Sequence, residues 1–450
     1  MSITALAFLL FFGATLLAAL FRNPRYGLYA YVGTFYLHPV DRWWGSGLPD
    51  LRWSLLAAAV ALGATLRLPA EPDRASWTAN TGAKLVIALT VWIWVQNLWA
   101  LDADAHLDLT ILYTKYVVLI YLIYRLIDDE QGVRNFLLVH VLGCFYLGVL
   151  CLEASGEGRL EGVGGPGINE ANALGMHLGT GALAAAILLV RGSLAQRAFA
   201  LAALAFIVNG IVQTESRGAF LGVATGGLTI FVLSPTGMRK LWVVLGVLGL
   251  AALLHFAPDN YWERMGTIAT SAEKEGAVDQ SSETRIELAA AQWQMFLAYP
   301  LGSGHRGTAY LSPRYLSEEN MSRNMADPTA PRERSSHNTF MTALAEQGIP
   351  GVFLFTGLII WIARASFSAR ARFRSSNSVQ LQLYVLAVAG SLGAVIVAGM
   401  FTDYFKAEVF IWEIALLAVL GSLPAQVAPV EAANGQSADQ SSARIARQTR

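Results

Sequence analysis

Apolar stretches long enough to cross a bilayer recur along this 450-residue chain from end to end. A helix needs about 20 mostly apolar residues to span the hydrocarbon, and its backbone groups must find partners within the segment. Spans are predicted near 3–21, 26–40, 53–67, 83–100, 108–127, 133–152, 172–190, 198–213, 216–233, 239–257, 338–363, 379–400 and 405–423. That makes thirteen, but 26–40 and 53–67 are short, so twelve is equally defensible. The side on which the N-terminus lies depends on that parity. Composition agrees: 54% of residues are hydrophobic and 14% charged, against about 25% charged in soluble domains. The expected fold is an all-α integral membrane protein with 12–13 transmembrane helices. A net charge of zero gives no bulk attraction to nucleic acid.

The first apolar stretch carries no positive charge ahead of it; Arg22 and Arg25 follow it instead. A secretory signal has its charge in front, so this reads as a retained span with its N-terminus outside. Cys144 and Cys151 lie on one predicted helix, about 10 Å apart and too far to bridge. They read as packing residues, and no zinc-type spacing or C-x-x-C occurs.

Lysine and arginine in short connections set orientation. Arg364, Arg370, Arg372 and Arg374 fall in 363–378 without an acid, which makes that connection cytoplasmic, with 191–197 and 234–240. The connections near 41–52, 101–107, 154–171 and 401–406 then face the other side, with one long loop. In a bacterial inner membrane that side is the periplasm. The chain divides into a bundle of about ten spans (1–257), a large periplasmic loop (258–337), C-terminal spans (338–424) and a polar, disordered cytoplasmic tail (425–450).

Within the long loop a helix is predicted from about Glu283 to Ala298, with Ser281 or Ser282 as N-cap. Ile286, Ala290, Trp293 and Leu297 make an apolar stripe at helical spacing, fit to lie on the membrane surface or on the bundle. Arg285, Leu288, Ala289 and Gln292 lie on another side.

A transporter places ionisable residues inside its spans. Here the spans are largely clean, with Lys115, Arg125, His140, His177 and Glu413 among the exceptions, and the unusual polar residues gather at periplasmic helix ends. In T-E-S-R-G-A-F (214–220), Ser216 can cap the ninth span and Arg217 opens it. A guanidinium beside a helix N-terminus suits phosphate; a snorkelling interfacial arginine is the alternative. Arg285 sits in a predicted first turn, unfavourably for the helix dipole, and is either an anion ligand or an exposed surface cation. The turn P-L-G-S-G-H-R-G (300–307) could aim backbone N–H groups at an anion beside His305 and Arg306, or simply end a helix. His337 lies where a helix starts near Asn338, with Ser336 or His337 itself at the cap. An imidazole there can accept a proton near neutral pH, or cap and pack. Asn172 and Asn169 open the seventh span, as caps or as site residues. Asp102 and Asp104 have the D-x-D spacing of metal-dependent sugar transferases, a short and common pattern.

In order, T-x-S-R-G-A (Thr214–Ala219), S-x-T-R with a tryptophan eight residues on (Ser282 to Trp293), P-L-G-S-G (Pro300–Gly304), H-N-x-F (His337–Phe340) and E-x-G (Glu346–Gly348) resemble the O-antigen ligase family. The resemblance covers about residues 165–360 in motif. It implies a glycosyltransferase similar in fold to the GT-C class, acting without a metal or other cofactor on undecaprenyl-pyrophosphate-linked O-antigen. The acceptor implied is lipid A–core, within the lipid bilayer. By the same resemblance Arg217 and Arg285 hold the pyrophosphate and His337 acts at the transfer, with Ser216, Asn172, His305, Arg306 and Asn338 as binding residues. O-antigen polymerases and protein O-oligosaccharyltransferases are sister readings; a polysaccharide-lipid flippase is the reading from another class.

Overall fold

Each apolar stretch expected from the sequence is a helix in the computed structural model. The structure describes residues 2–69, 74–154, 156, 158–270, 280–318, 321 and 333–424, without the side chains of 267–270 and 280–284. The expected tail, 425–450, lies outside the described residues. Regular structure among the described residues is entirely helical. The first ten helices are α1 (Ile3–Phe21), α2 (Arg25–Leu37), α3 (Trp53–Thr65), α4 (Thr81–Gln96), α5 (Ala103–Leu126), α6 (Glu130–Glu153), α7 (Ala171–Arg191), α8 (Leu194–Gln213), α9 (Arg217–Leu233) and α10 (Thr236–Phe256). Then come α11 (Asp259–Thr270), α12 (Gln280–Ala298), α13 (Gly307–Tyr315), α14 (Thr339–Ser375), α15 (Val379–Ala398) and α16 (Glu408–Ser422).

Eight of these, α1, α5, α6, α7, α8, α10, α14 and α15, are long and apolar enough to cross a membrane; α3, α4 and α9 are shorter apolar helices. The protein is a multi-pass membrane protein. The 13 residues of α2 reach only about 20 Å at 1.5 Å per residue, short of the roughly 30 Å hydrocarbon core. It stops at His38, whose left-handed φ of 38° precedes Pro39.

Helix starts follow local chemistry. Asp102, Asp129 and Ser216 accept from backbone N–H groups of α5, α6 and α9, and Ser193 with Gln196 makes a capping box on α8. At the opposite end, α14 runs on to Ser375, so the arginine-rich 363–378 is mostly helix and not the loop expected. Nothing there breaks a helix, and Arg372 and Arg374 stand in the last turn, where cations suit the dipole. Arg370 donates to the Leu233 carbonyl and Arg372 to those of Leu420 and Gly421, all carbonyls at or beside the C-terminal ends of α9 and α16.

The centre is α7, α15 and α16, buried over most of their length. Small residues let α9 approach α15 of this centre: a Cβ added at Gly226 would come within 2.8 Å of the Gly390 carbonyl oxygen. By contrast, α10 has no buried residue and stands at the margin against α9.

The chain between α10 and α14 holds α11, α12 and α13, a helical insertion as expected. However, α12 begins at Gln280, so Ser281 and Ser282 are inside the helix and neither is its N-cap; their side chains lie outside the described residues. Arg285 is consequently in the second turn. The face that packs is also different from the expected stripe. Leu288, Ala291, Gln292 and Met295 are buried, whereas Ile286, Trp293 and Leu297 are exposed. The second face packs on α13 and α14 because it combines apolar side chains with Gln292, which has buried partners there. Trp293 is thus turned away from the bundle.

Candidate active site

The site is built where three helix N-termini meet around the connection 399–407. Asn338 caps α14, accepting from the N–H groups of Phe340 (2.9 Å) and Met341 (3.2 Å). The cap is therefore Asn338, not Ser336 or His337. Its amide also donates to the Met400 carbonyl (3.3 Å), so both ends of Asn338 are engaged in structure. Ser336 Oγ donates to the Asn338 carbonyl (3.1 Å) and accepts from the Asn338 N–H (3.3 Å). This tight turn places His337 at its apex.

Gln292 of α12 donates to that same Ser336 hydroxyl (2.9 Å). Arg285 lies seven residues earlier, close to two full turns, and so on the same face of α12. The turn and α12 are thereby locked together. Burial and the guanidinium of Arg285 lower the His337 pKa, Glu170 opposes them, and Arg334 and Arg159 add to the lowering. A neutral imidazole near neutral pH follows, set among three arginines and one carboxylate.

On the other side of 399–407 stand the starts of α7 and α9. Ser216 Oγ accepts from the Ala219 N–H (3.1 Å) and donates to Asn172 Oδ1 (2.8 Å). That oxygen also receives Arg159 Nη2 (2.7 Å), while Arg159 Nε donates to the Thr214 carbonyl (3.0 Å). Tyr404 connects the two sides: its hydroxyl donates to the Asn172 carbonyl (2.7 Å) and its N–H to Thr339 Oγ1 (2.8 Å). Arg217, half-buried, is the first residue of α9. Beside it, a Cβ on Gly218 would come within 2.9 Å of Phe401 Cβ, so this glycine admits the connection itself.

Sequence reasoning missed Arg159, Arg264, Arg334 and Glu170. Arg264 of α11 pairs with Glu215 (3.6 Å), which also accepts from Asn260 (2.8 Å). Burial and Arg264 lower the Arg159 pKa, with Glu161, Glu215 and Glu170 opposing. Arg159, Glu170 and Arg334 come from connections and Arg264 from α11, none with a motif of its own. Chemically, the result is an anion-directed floor of positive helix ends and guanidiniums, with a neutral histidine at its edge.

His305 and Arg306 are not part of this cluster. Buried Glu346 accepts from His305 Nδ1 (3.3 Å), Arg306 N–H (3.1 Å) and Thr308 N–H (3.3 Å). The glycine-rich turn does bind an anion, but the anion is the protein's own carboxylate. The Arg306 side chain is spent on Glu333 (2.6 Å) and Asp102 (3.7 Å). Asp102 in turn caps α5, accepting from the Ala105 N–H at 3.1 Å, and D-x-D has a structural use. Three residues of α4 and its end anchor the same turn. Gln96 donates to the carbonyls of Glu346 (2.9 Å) and Leu301 (3.1 Å), Trp92 to that of Gln347 (2.8 Å), and Trp99 to that of Gly302 (3.0 Å).

Among the described residues His140, Cys144 and His177 bring possible ligand atoms within 4.8 Å of one another. They are buried in the bundle with Tyr36, whose hydroxyl lies 2.5 Å from His140 Nδ1 and 2.9 Å from His177 Nε2. That hydroxyl fills the space between the rings, and a metal there would have to displace it.

A family model described as O-Antigen ligase matches residues 200–356. The resemblance read from the sequence is borne out over that segment, which contains Ser216, Arg217, Arg285, His305, Arg306, His337 and Asn338. Asn172 and Arg159 lie outside it. No curated protein matches the chain.

Proposed function

Residues 200–356 are a segment of the O-antigen ligase family, and from that premise we propose that the protein transfers O-antigen from undecaprenyl pyrophosphate to a sugar hydroxyl of lipid A–core. The family comprises ligase- and polymerase-type glycosyltransferases of lipid-linked polysaccharide. The observation that carries the finer reading is the convergence of three helix N-termini and a set of arginines beside His337, whose pKa burial and Arg285 lower.

In this reading Arg217 and Arg285 hold the pyrophosphate, supported by Arg159 and the helix ends. His337 accepts the proton of the acceptor hydroxyl as its oxygen attacks the anomeric carbon. The bond from that carbon to the pyrophosphate oxygen breaks, and undecaprenyl pyrophosphate leaves as an anion neutralised by guanidiniums. One displacement inverts the anomeric configuration. The leaving group needs no acid, and the reaction is proposed to be independent of metal. Ser216 and Asn172 position the floor; Asn338 positions His337.

Twelve or thirteen helices cross the inner membrane in this reading, with 258–337 on the periplasmic side and the arginine-rich helix ends in the cytoplasm. The units are the bundle 1–257, the loop 258–337 and the spans 338–424. A GT-C-like fold and lateral access for both lipids fit this arrangement.

The test is transfer by purified protein in detergent, with chelator, from undecaprenyl-pyrophosphate-linked O-antigen to lipid A–core, read as a ladder on a gel. Wild type is expected to produce it. His337→Ala should lose roughly a hundred- to ten-thousand-fold in rate. Wild-type rates in folded His337→Ala and His337→Gln remove the histidine from the chemistry. Longer chains on the carrier instead of the ladder would identify a polymerase.

A further inference from the structure

A cavity of about 600 Å³ opens between α2, α3 and α5, within the roughly 300–1,000 Å³ range of ligand pockets. Neither Arg217, Arg285 nor His337 lines it. Its polarity is graded along the helices. Near the end where α3 and α5 begin, its lining includes His38, Asp50 and Arg52; further along the helices it is lined by Leu62 of α3 and Leu119 and Leu122 of α5. That gradient is the one an amphiphile carries.

Lys115 projects into it between these zones. It lies in the middle of an apolar helix, is exposed, and has no hydrogen-bond or ion-pair partner among the described residues. A lysine inside a span is expensive and calls for a counter-ion. Glu408 lines the same cavity, yet its Oε1 is held by the Tyr31 hydroxyl (2.6 Å), and no Lys115–Glu408 ion pair forms. At the mouth Arg52 is also exposed and without a partner among the described residues, with Asp50 the other charged group there.

The level of Lys115 is fixed by its neighbours. Tyr113 and Tyr116 donate to the carbonyls of Phe405 (2.5 Å) and Lys406 (2.6 Å). Lys115 therefore stands level with the connection 399–407, whose other side carries Thr339 and Asn172. The cavity and the candidate active site are two sides of one wall.

We propose that this cleft is the seat of the acceptor lipid, a phosphorylated, acyl-chained glycolipid whose chains lie against Leu62, Leu119 and Leu122 and whose phosphate meets Lys115. The assignment rests on the transfer reading above, in which the arginines across the wall are already committed to the donor's pyrophosphate. A second anionic lipid then needs its own cation and its own apolar trough at the same level.

The experiment is lipid binding to the full-length protein by native mass spectrometry, with lipid A–core and undecaprenyl pyrophosphate as separate probes. Ala59→Trp adds an indole at an exposed position of the cleft lining, and Lys115→Met removes the charge. Each should weaken lipid A–core binding roughly tenfold or more and leave undecaprenyl pyrophosphate unchanged. Lys115→Arg should retain affinity, which separates lost charge from lost folding. Unchanged lipid A–core affinity in both variants overturns the proposal, as does loss of undecaprenyl pyrophosphate binding instead, or a wild type that does not bind lipid A–core. A wild type that binds through the cleft but transfers nothing upholds the cleft and removes the transfer reading.

Discussion

Glu346 offers the sharpest test of how the long insertion is held over the bundle. Its carboxylate is almost wholly buried and receives two backbone N–H groups and one imidazole N–H. Truncating it to alanine leaves the Arg306 and Thr308 amides without an acceptor, each costing about 1–3 kcal/mol when buried. Losing the acceptor of both amides is expected to cost about 2–6 kcal/mol. Glu346→Gln keeps one carbonyl oxygen but sets an amide NH₂ against a donor, for a smaller loss of about 1–3 kcal/mol. The loss should be local. Gln96, Trp92 and Trp99 bond backbone carbonyls that survive the substitution, so the bundle stays folded while the 299–338 segment loosens. Limited proteolysis of detergent-purified protein, read by mass spectrometry, should show new cuts within 299–338 in the order alanine, glutamine, wild type. Transfer should fall in the same order, because Ser336 and His337 hang from that segment. Wild-type protease resistance and wild-type transfer in Glu346→Ala would falsify the account of this carboxylate as the turn's anion.

Other outcomes follow from neighbouring geometry. Gly348→Ala should misfold or lose transfer, as assayed by monodispersity and ladder formation, because φ is 64° and ψ −165° there and a Cβ would run into the Leu301–Gly302 backbone. Rate against pH should fall on the acid side only below the ordinary histidine value of about 6.5. The base works when neutral, and the neighbouring guanidiniums and burial hold its pKa down; an acid limb shifted above that value contradicts the assignment. Arg159→Lys should lose most transfer despite keeping its charge, since one ammonium cannot reach both the Thr214 carbonyl and Asn172 Oδ1 as the fork does. Wild-type rates in the lysine variant would remove that bridging role.

Helix positions were legible because hydrocarbon-length apolar runs leave the backbone few options, and all thirteen expected stretches are helices. Which face of α12 packs was not legible. The stripe of Ile286, Trp293 and Leu297 is the more apolar, yet burial went to the face carrying Gln292. A buried amide is favoured only where partners wait, and its partners, Ser336 and Thr308, come from elsewhere in the chain. The same limit explains the glycine-rich turn. Local pattern leaves an anion cradle and a plain helix-ending turn both open, and it is Glu346, 40 residues beyond Arg306, that takes the turn's N–H groups. Arg159 illustrates the converse. It sits in a connection with no motif, and only the approach of Thr214 and Asn172 from two helix ends makes it part of the floor. Short motifs thus named the residues that hold charge within the family segment, while the counter-charges and clamps that aim them come from long-range contacts. That division is why Arg217, Arg285 and His337 stand as the proposed site, while His305, Arg306 and Asn338 are engaged by structural partners. Those three residues sit in equally good local patterns, and what separates them is the partner each one finds in the fold.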